Sequence, residues 1–238
     1  PRGKKPKSST GRAGAARRER MRNRPRRTGL TPRPFQLEAV KQIEKAGFQA
    51  AVFDAMGLGK TITSLTTLKR NPMKTLPALV VCPSSVTWNW EIEARDWIPG
   101  ARVHAIEGMD DPLPEKNPHI VICPWDLLHY REAEIHNMLP WKMIIADEAH
   151  YARNADTKRG RAFRNVARRI PGRLMLTGTP ILNGRWEMDS LLAVLDSDKP
   201  LVIRRLLEDV ADEVPPKSRR ILTVSMPLEI QAEYNELI

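Results

Sequence analysis

Two short runs of residues carry groups that could do chemistry on phosphates. The first, DAMGLGKT at residues 54–61, places glycines before a lysine and a threonine. The second, DEAH at residues 147–150, places two acids side by side after an apolar stretch. Backbone N–H groups of a glycine loop can surround phosphates, and paired acids suit a divalent cation and an attacking water. The two runs together predict a site that handles a nucleoside triphosphate.

The first run ends in the Gly-x-Gly-Lys-Thr pattern of a phosphate-binding loop. In this pattern the backbone approaches the phosphates closely, and the following helix adds the positive end of its dipole. Lys60 would reach the terminal phosphates and the Thr61 hydroxyl would bind Mg²⁺. The predicted nucleotide-binding residues of the loop are Met56, Gly57, Leu58, Gly59, Lys60 and Thr61. The strict pattern has glycine where this chain has Asp54, which leaves a glycine-rich turn without a ligand as the alternative.

The second run supplies the remaining chemical groups. Asp147 is predicted to hold Mg²⁺, directly or through water, and Glu148 to orient and deprotonate the attacking water. Together with Lys60 they form the predicted catalytic set. An exposed acidic turn is the alternative, and the phosphate loop in the same chain argues against it.

Apolar runs typical of buried strands alternate with helical patterns along the chain. Strands are predicted at residues 49–53, 78–82, 102–106, 119–123, 143–146, 173–176 and 220–225. Helices are predicted at residues 35–46, 61–70, 86–98, 124–139, 157–168, 186–195 and 204–212, and from Leu228. This alternation predicts an α/β fold, with a mainly parallel sheet and helices on both faces. Ligands bind at the carboxyl ends of such strands, so the two runs are expected to converge there.

The net charge of +11 lies in the first part of the chain. Residues 1–33 hold 13 of the 39 Lys and Arg residues and one of the 28 acids, so the remainder is close to neutral. We predict that residues 1–27 form a basic arm, disordered in isolation because it lacks large apolar side chains. Such an arm can bind nucleic-acid phosphates without sequence preference. A solubilising tail or a linker is the alternative.

Other features of the composition narrow the class of protein. Cys82 and Cys123 lie in apolar stretches without metal-binding spacing, which predicts reduced core thiols. No apolar run approaches the roughly 18 residues of a membrane-spanning helix, and no secretory signal precedes the fold. The sequence therefore favours an intracellular protein, and the lack of an initial Met indicates processing or a fragment.

Seven segments follow one another along the chain: RPFQLE at 33–38, DAMGLGKT at 54–61, VVCPSS at 80–85, VICPW at 121–125, DEAH at 147–150, LTGTPILN at 176–183 and residues 204–217. In this order they resemble the Q motif, motifs I, Ia, Ib, II and III and the closing segment of one protein class. That class is the first RecA-like lobe of helicase superfamily two, and within it the Swi/Snf-type (sucrose-nonfermenting-like) DNA-dependent ATPases. The family's own motif I tolerates an acid where Asp54 stands. The resemblance implies a RecA-like P-loop NTPase fold.

The resemblance also implies roles and partners. Gln36 would recognise adenine. Pro83, Ser84 and Ser85 would contact the phosphates of double-stranded DNA, and His150, Thr177, Gly178 and Thr179 would couple the ATP site to the DNA site. ATP and Mg²⁺ are the implied ligands. Ordinary capping by these Ser and Thr side chains is the alternative.

The domain organisation follows from the same resemblance. A helicase ATP-binding lobe is expected at residues 28–225, and residues 226–238 would begin a connection to a second RecA-like lobe in cis beyond Ile238. That lobe would carry arginine fingers, so hydrolysis by this chain alone is expected to be slow. The connection from Pro180 to Arg204 is shorter than the family's, either because the protein is stripped down or because residues near 196–201 are omitted.

Three functions stay open at this point. The chain could be the lobe of a motor that translocates on double-stranded DNA, a module that docks ATP or DNA without turnover, or the lobe of an RNA helicase. Helical spacing favours core packing for Trp90 and Trp97. Trp88 and the basic helix at 157–168 could face either solvent or nucleic acid.

Overall fold

The computed structural model describes residues 24–114, 117–138, 140–179 and 185–213. The strands in this part of the chain are β1 (Gln49–Val52), β2 (Ala78–Cys82), β3 (Val103–Ala105), β4 (Ile120–Pro124), β5 (Met143–Asp147), β6 (Gly172–Leu176) and β7 (Leu201–Ile203). The α-helices are α1 (Pro34–Lys45), α2 (Lys60–Arg70), α3 (Pro72–Thr75), α4 (Thr87–Trp97), α5 (Trp125–Met138), α6 (Lys158–Ala167) and α7 (Arg185–Leu192). Short 3₁₀ helices cover Ser84–Val86, Ala149–Ala152 and Glu208–Glu213.

The strands form one sheet in the order β3-β4-β2-β5-β6-β1-β7. Every pairing is parallel. Strands β2, β4 and β6 are buried along their whole length, which explains the continuous apolar runs of β2 and β4. The predicted α/β class with a parallel sheet is confirmed.

Alternate strand residues face opposite sides of the sheet and build two hydrophobic cores. On one side, Leu79 packs with Phe163 of α6 and with side chains of α5 and α7. On the other side, Val80 packs with side chains of α1, α2 and α4, among them Trp90 and Trp97. Helices therefore cover both faces, and the core packing predicted for the two tryptophans is confirmed.

The cysteines are separated by the sheet. Cys82 and Cys123 are buried free thiols that belong to the two different cores, in agreement with the prediction of reduced core residues. No helix among the described ranges is both long and apolar enough to cross a membrane.

Most predicted elements lie within one or two residues of their expected bounds, but the end of the described chain differs. The sequence does not predict β7, because three apolar residues after Pro200 form too short a run. The helix predicted over 204–212 does not form as an α-helix: residues 204–207 lie outside any helix, and residues 208–212 belong to the short 3₁₀ helix Glu208–Glu213. The Ala55 N–H donates to the Arg205 carbonyl at 2.9 Å, so pairing with β1 continues past Ile203. Here tertiary pairing overrides a local helical pattern.

Several parts of the prediction fall outside the described ranges. They are residues 1–23 of the basic arm, residues 180–183 of motif III, residues 214–217 of the closing segment, the strand at 220–225, the helix from Leu228 and the connection at 226–238. The described end of the arm contacts α4. The Arg24 side chain forms an ion pair with Asp96, and the Arg27 backbone N–H donates to the same carboxylate at 3.3 Å.

The carboxyl edge of the sheet gathers the motifs. Strand β6 lies between β1 and β5. In the register, Leu176 pairs with Val52 on one side and with Asp147 on the other. Because the three strands are parallel and end level with one another, the residues that follow them emerge side by side. The loop at 54–61, the DEAH run and residues 177–179 of motif III thus share one edge.

Candidate active site

The loop at residues 54–61 joins β1 to α2 and depends on two glycines. Gly57 and Gly59 have φ angles of 89° and 75°, in the left-handed region that glycine adopts without strain. Gly59 immediately precedes α2, which begins at Lys60 and has unpaired backbone N–H groups at this end. The loop therefore has the geometry that a phosphate site requires.

Lys60 is the charged group of the loop. Its ammonium donates to the carbonyl oxygens of Asp54 at 2.8 Å and Ala55 at 3.4 Å. Burial lowers the pKa of Lys60, and the carboxylates of Glu148, Asp147 and Asp54 oppose that shift. Lys60 thus lies between the loop and the acidic run.

Asp147 ends β5, and two tryptophans hold it. The Trp90 indole N–H donates to Asp147 Oδ2 at 2.8 Å, and the Glu148 backbone N–H donates to Oδ1 at 3.1 Å. The Trp125 indole N–H donates to the Asp147 carbonyl at 2.8 Å. Burial raises the pKa of Asp147, and the hydrogen bond from Trp90 opposes that shift. The carboxylate is fixed in one orientation, as a cation ligand should be.

Glu148 has a left-handed backbone with φ of 49°, which is uncommon for a residue with a side chain. Its Oε2 lies 3.2 Å from His150 Nδ1, and the Thr177 hydroxyl donates to the same oxygen at 3.4 Å. The hydrogen bond with His150 is the main cause that lowers the pKa of Glu148. The carboxylate is therefore ionised at neutral pH, as a base for water must be.

Thr177 connects the acidic run to the strand that carries the loop. It is completely buried, and its backbone N–H donates to the carbonyl of Val52 at 3.2 Å. Its hydroxyl lies 3.2 Å from His150 Nδ1 and accepts from the Thr179 backbone N–H at 3.1 Å. The predicted coupling residues of motif III and His150 thus form one contiguous group.

Gly178 brings this group against the phosphate loop. A Cβ at this position would lie 3.0 Å from Met56 Cγ and 3.5 Å from Lys60 Nζ. Met56 itself is 72% exposed. The close approach of the two loops depends on a residue without a side chain.

Gln36 lies beneath the loop with both ends of its amide engaged. Its Oε1 accepts from the Arg33 N–H at 2.9 Å, and its Nε2 donates to the Leu58 carbonyl at 2.9 Å. A Cβ on Gly59 would lie 2.5 Å from the same Nε2. In this structure the Gln36 amide positions the loop and the first turn of α1. Recognition of adenine by Gln36 stays a prediction.

The residues predicted to contact DNA lie beside this site and not within it. Pro83 follows β2, and Ser84 and Ser85 are exposed in the 3₁₀ helix that comes next. The Ser84 hydroxyl donates to Asp126 Oδ2 at 3.0 Å. Strand β2 neighbours β5 in the sheet, so this turn is one strand away from Asp147.

Two contacts of the site are missed by sequence reasoning. Spacing places Trp90 in the core but does not reveal its bond to Asp147. A buried indole N–H needs an acceptor, and this rule is the signal that could have pointed to a carboxylate. The second contact joins Arg205 Nη1 to Oδ2 of the completely buried Asp54 at 3.4 Å. A buried acid requires a cationic or hydrogen-bonding partner. An acid at position 54, directly after a buried strand, therefore indicates that a partner such as Arg205 lies nearby.

Thr61 and Asp147, the residues predicted to bind Mg²⁺, have the ligand types that this cation prefers. Thr61 stands in the first turn of α2, and Asp147 is the acid at the end of β5. Among the described residues, no group of three or more His, Cys, Asp or Glu could hold a metal ion. One hydroxyl and one carboxylate fit Mg²⁺, which keeps several waters and takes phosphate oxygens as further ligands.

The sequence profile of the SNF2-related domain matches residues 38–199, and the chain belongs to this family. This finding confirms the Swi/Snf-type resemblance. Protein CHROMATIN REMODELING 19 of Arabidopsis thaliana is 30% identical, over 87% of this chain and 34% of the relative. Helicase SWR1 of Debaryomyces hansenii is 31% identical, over 69% of this chain and 11% of the relative. This chain thus spans about a third or less of the length of these relatives.

A solved structure supports the fold assignment. The Sulfolobus solfataricus SWI2/SNF2 ATPase core, in complex with dsDNA, aligns with a TM-score of 0.67 and 23% identity. The alignment covers 81% of this chain and 48% of that chain. At this level of identity the likeness concerns the fold, and it confirms the RecA-like architecture.

Proposed function

We propose that this chain is the ATP-binding lobe of a DNA-dependent ATPase, a helicase-like motor that hydrolyses ATP to translocate on double-stranded DNA. One geometric observation carries the proposal. Lys60 follows β1, Asp147 and Glu148 lie at the end of β5, and both strands flank β6 at the carboxyl edge of the sheet. The residues after β6 touch both groups, since Thr177 donates to Glu148 at 3.4 Å and a Cβ on Gly178 would lie 3.5 Å from Lys60 Nζ. A lysine between a glycine loop and two carboxylates suits phosphoryl transfer to water.

In the proposed reaction, a water attacks the γ-phosphorus of ATP, the bond from that phosphorus to the β,γ-bridging oxygen breaks, and ADP leaves with that oxygen. Glu148 accepts a proton of that water, and its Oε2 is held in place by the Thr177 hydroxyl and by His150 Nδ1. The Lys60 ammonium exchanges its two backbone carbonyl partners for phosphate oxygens and balances their charge. Thr61 and Asp147 would hold Mg²⁺, which when bound supplies further neutralisation of the phosphate charge.

The DNA partner is proposed from the relatives and from one exposed turn. The solved SWI2/SNF2 core is a complex with dsDNA, and a human relative, 27% identical over 87% of this chain and 8% of its own length, is named chromodomain-helicase-DNA-binding protein 7. Pro83, Ser84 and Ser85 offer a turn at which a phosphate backbone would bind. The group around His150 and Thr177 would transmit that binding to Glu148.

We further propose a second RecA-like lobe in cis, which would complete the ATP site. The matched part of the solved core is 48% of its chain, which leaves room there for a second lobe of similar size. An intracellular, DNA-associated location goes with this function.

ATP hydrolysis measured with duplex DNA, with RNA and without nucleic acid tests the proposal. We expect a slow basal rate that duplex DNA increases. Glu148→Gln should lower the rate by on the order of 10²–10⁴ because the general base is lost, whereas Glu132→Gln on α5 is the matched control. Stimulation by RNA and not by duplex DNA would instead indicate an RNA helicase lobe.

A module that docks ATP or DNA without turnover is the second candidate. The aligned part of the solved core is 48% of its chain, and an arginine finger, which supplies on the order of 10³–10⁵ in rate, would come from a partner lobe. Single-turnover hydrolysis by this chain separates the two candidates. Equal rates for the wild type and Glu148→Gln would support docking, and a clear drop in the variant would support catalysis.

A further inference from the structure

A groove of about 960 Å³ lies next to the turn proposed to contact DNA. Side chains from α5, from the 3₁₀ helix after Glu148, from α6 and from α7 line it, among them Asp126, Tyr151, Arg159 and Trp186. Its position links the exposed turn after β2 to the residues that follow the DEAH run.

Each carboxylate oxygen of Asp126 accepts a hydrogen bond from a different side chain. Oδ2 accepts from the Ser84 hydroxyl at 3.0 Å, and Oδ1 accepts from Arg159 Nη2 at 2.6 Å. The Asp126 side chain is 63% exposed and the Arg159 side chain is 33% exposed. Exposed ion pairs contribute little to stability, so an incoming anion can replace this carboxylate at small cost.

A hydroxyl and a guanidinium on either side of an anion are the donors that proteins use to bind a nucleic-acid phosphate. We propose that the Asp126 carboxylate occupies the position of a DNA backbone phosphate and holds Ser84 and Arg159 until DNA displaces it. The proposal rests on the function proposed above, and it adds Arg159 and Asp126 to the DNA site. The anion is a phosphodiester of duplex DNA, because the turn that supplies Ser84 is the proposed duplex contact.

Arg159 also contacts the aromatic residues beside the catalytic acid. Its guanidinium lies 4.9 Å from the centre of the Tyr151 ring. Tyr151 stacks on His150, with ring centroids 4.9 Å apart. His150 Nδ1 is 3.2 Å from Glu148 Oε2. A change of partner at Arg159 is therefore transmitted through two stacked rings to the residue that activates water.

The binding of a labelled DNA duplex to the whole chain, followed by fluorescence anisotropy over a range of salt concentrations, tests the proposal. Asp126→Asn removes the competing charge and should tighten binding several-fold. Glu132→Gln makes the same charge change on the same helix, in a groove with His136 and Arg169, and should tighten it less. Arg159→Gln should weaken binding and reduce the slope of log K against log salt by about one, as expected when one phosphate is no longer neutralised.

The double variant Asp126→Asn with Arg159→Gln isolates the link between the two residues. If Asp126 competes for Arg159, the tighter binding of Asp126→Asn should largely disappear in the double variant. Tighter binding that persists there, or an Asp126→Asn effect equal to that of Glu132→Gln, would overturn the proposal while leaving the proposed function intact. A wild-type chain that does not bind duplex DNA would overturn both.

Transmission to the ATP site has its own readout. Tyr151→Leu removes the ring between Arg159 and His150 but leaves both phosphate donors in place. We expect DNA affinity to change little while the stimulation of hydrolysis at saturating DNA falls several-fold. Full stimulation in Tyr151→Leu would exclude the aromatic route.

Discussion

Arg205 and Asp54 form an ion pair that joins the end of the described chain to the first residue of the phosphate loop. Arg205 Nη1 lies 3.4 Å from Oδ2 of Asp54, which is completely buried. The same guanidinium lies 5.7 Å from the centre of the Phe35 ring. The loop is thus held from outside by the segment after β7, as well as from beneath by Gln36.

Removal of the Arg205 guanidinium should lower the stability of the fold. In Arg205→Met the Asp54 carboxylate stays buried without its partner, and we expect a decrease of about 3–5 kcal/mol in the free energy of unfolding. Urea denaturation measures it. Arg70→Met breaks the more exposed pair with Glu44 and should cost no more than about 1 kcal/mol. Equal decreases in the two variants would show that Asp54 does not depend on Arg205.

The two loop glycines allow backbone strain to be separated from a steric clash. Gly57→Ala and Gly59→Ala both place a side chain at positive φ, which costs about 1–2 kcal/mol. At Gly57 nothing lies within 4 Å of the new Cβ, whereas at Gly59 Gln36 Nε2 is 2.5 Å away. We expect Gly59→Ala to reduce stability and nucleotide affinity more, as measured by thermal unfolding with and without ATP. Gln36→Ala should rescue part of the Gly59→Ala defect and none of the Gly57→Ala defect.

Trp90→Phe tests whether the indole N–H positions Asp147. Phenylalanine keeps an aromatic ring in the core but removes the donor to Oδ2. Loss of a group that orients a cation ligand typically lowers metal affinity or activity roughly ten- to a hundredfold. The measurement is ATP hydrolysis over a range of Mg²⁺ concentrations. Trp97→Phe, a similar change of volume on the same buried face of α4, is the control and should leave the Mg²⁺ dependence as it is.

The thiols should be inert in the folded protein. Burial raises the pKa of Cys82 and of Cys123 to about 12 in each case. Since the thiolate is the reactive form, alkylation near pH 8 should be very slow in the native state. In denaturant both thiols should react at the ordinary rate. Fast labelling of either thiol in the native protein would contradict the buried placement.

The basic arm should account for part of the salt dependence of DNA binding. Removal of residues 1–23 deletes nine Lys and Arg residues and leaves Arg24 paired with Asp96. If the arm binds phosphates, the slope of log K against log salt should become shallower by about 0.9 for each phosphate that the arm neutralises in the full chain. An unchanged slope would rule the arm out as a phosphate binder.

The sequence predicts the parts of the site that depend on local pattern. Val80 and Ile144 belong to apolar runs that identify buried strands, and the order of strands and helices then brings Lys60 and Asp147 to one edge. It does not predict contacts between residues far apart along the chain. The hydrogen bond from Trp90 to Asp147 is one such contact.

The error at residues 204–212 has the same origin. A helical pattern is a local property, whereas the path of Arg205 is decided by its pairing with the loop more than a hundred residues earlier. β7 has only three residues, which is too short a run to predict a strand. Its backbone pairing with β1 stabilises it as a strand. Prediction from pattern fails here because long-range pairing outweighs local preference.

The order of strands also determines when the nucleotide site can exist during synthesis. Strand β1 pairs with β6 and β7, which lie far along the chain. Gln49 pairs with Arg173, and Ala50 pairs with Leu201. During synthesis, β1 therefore has no partner strand until β6 has left the ribosome. Non-local parallel pairing of this kind is slow, and the nascent chain exposes an apolar strand until it is complete. The proposed nucleotide site is thus completed late, although its loop precedes six of the seven described strands.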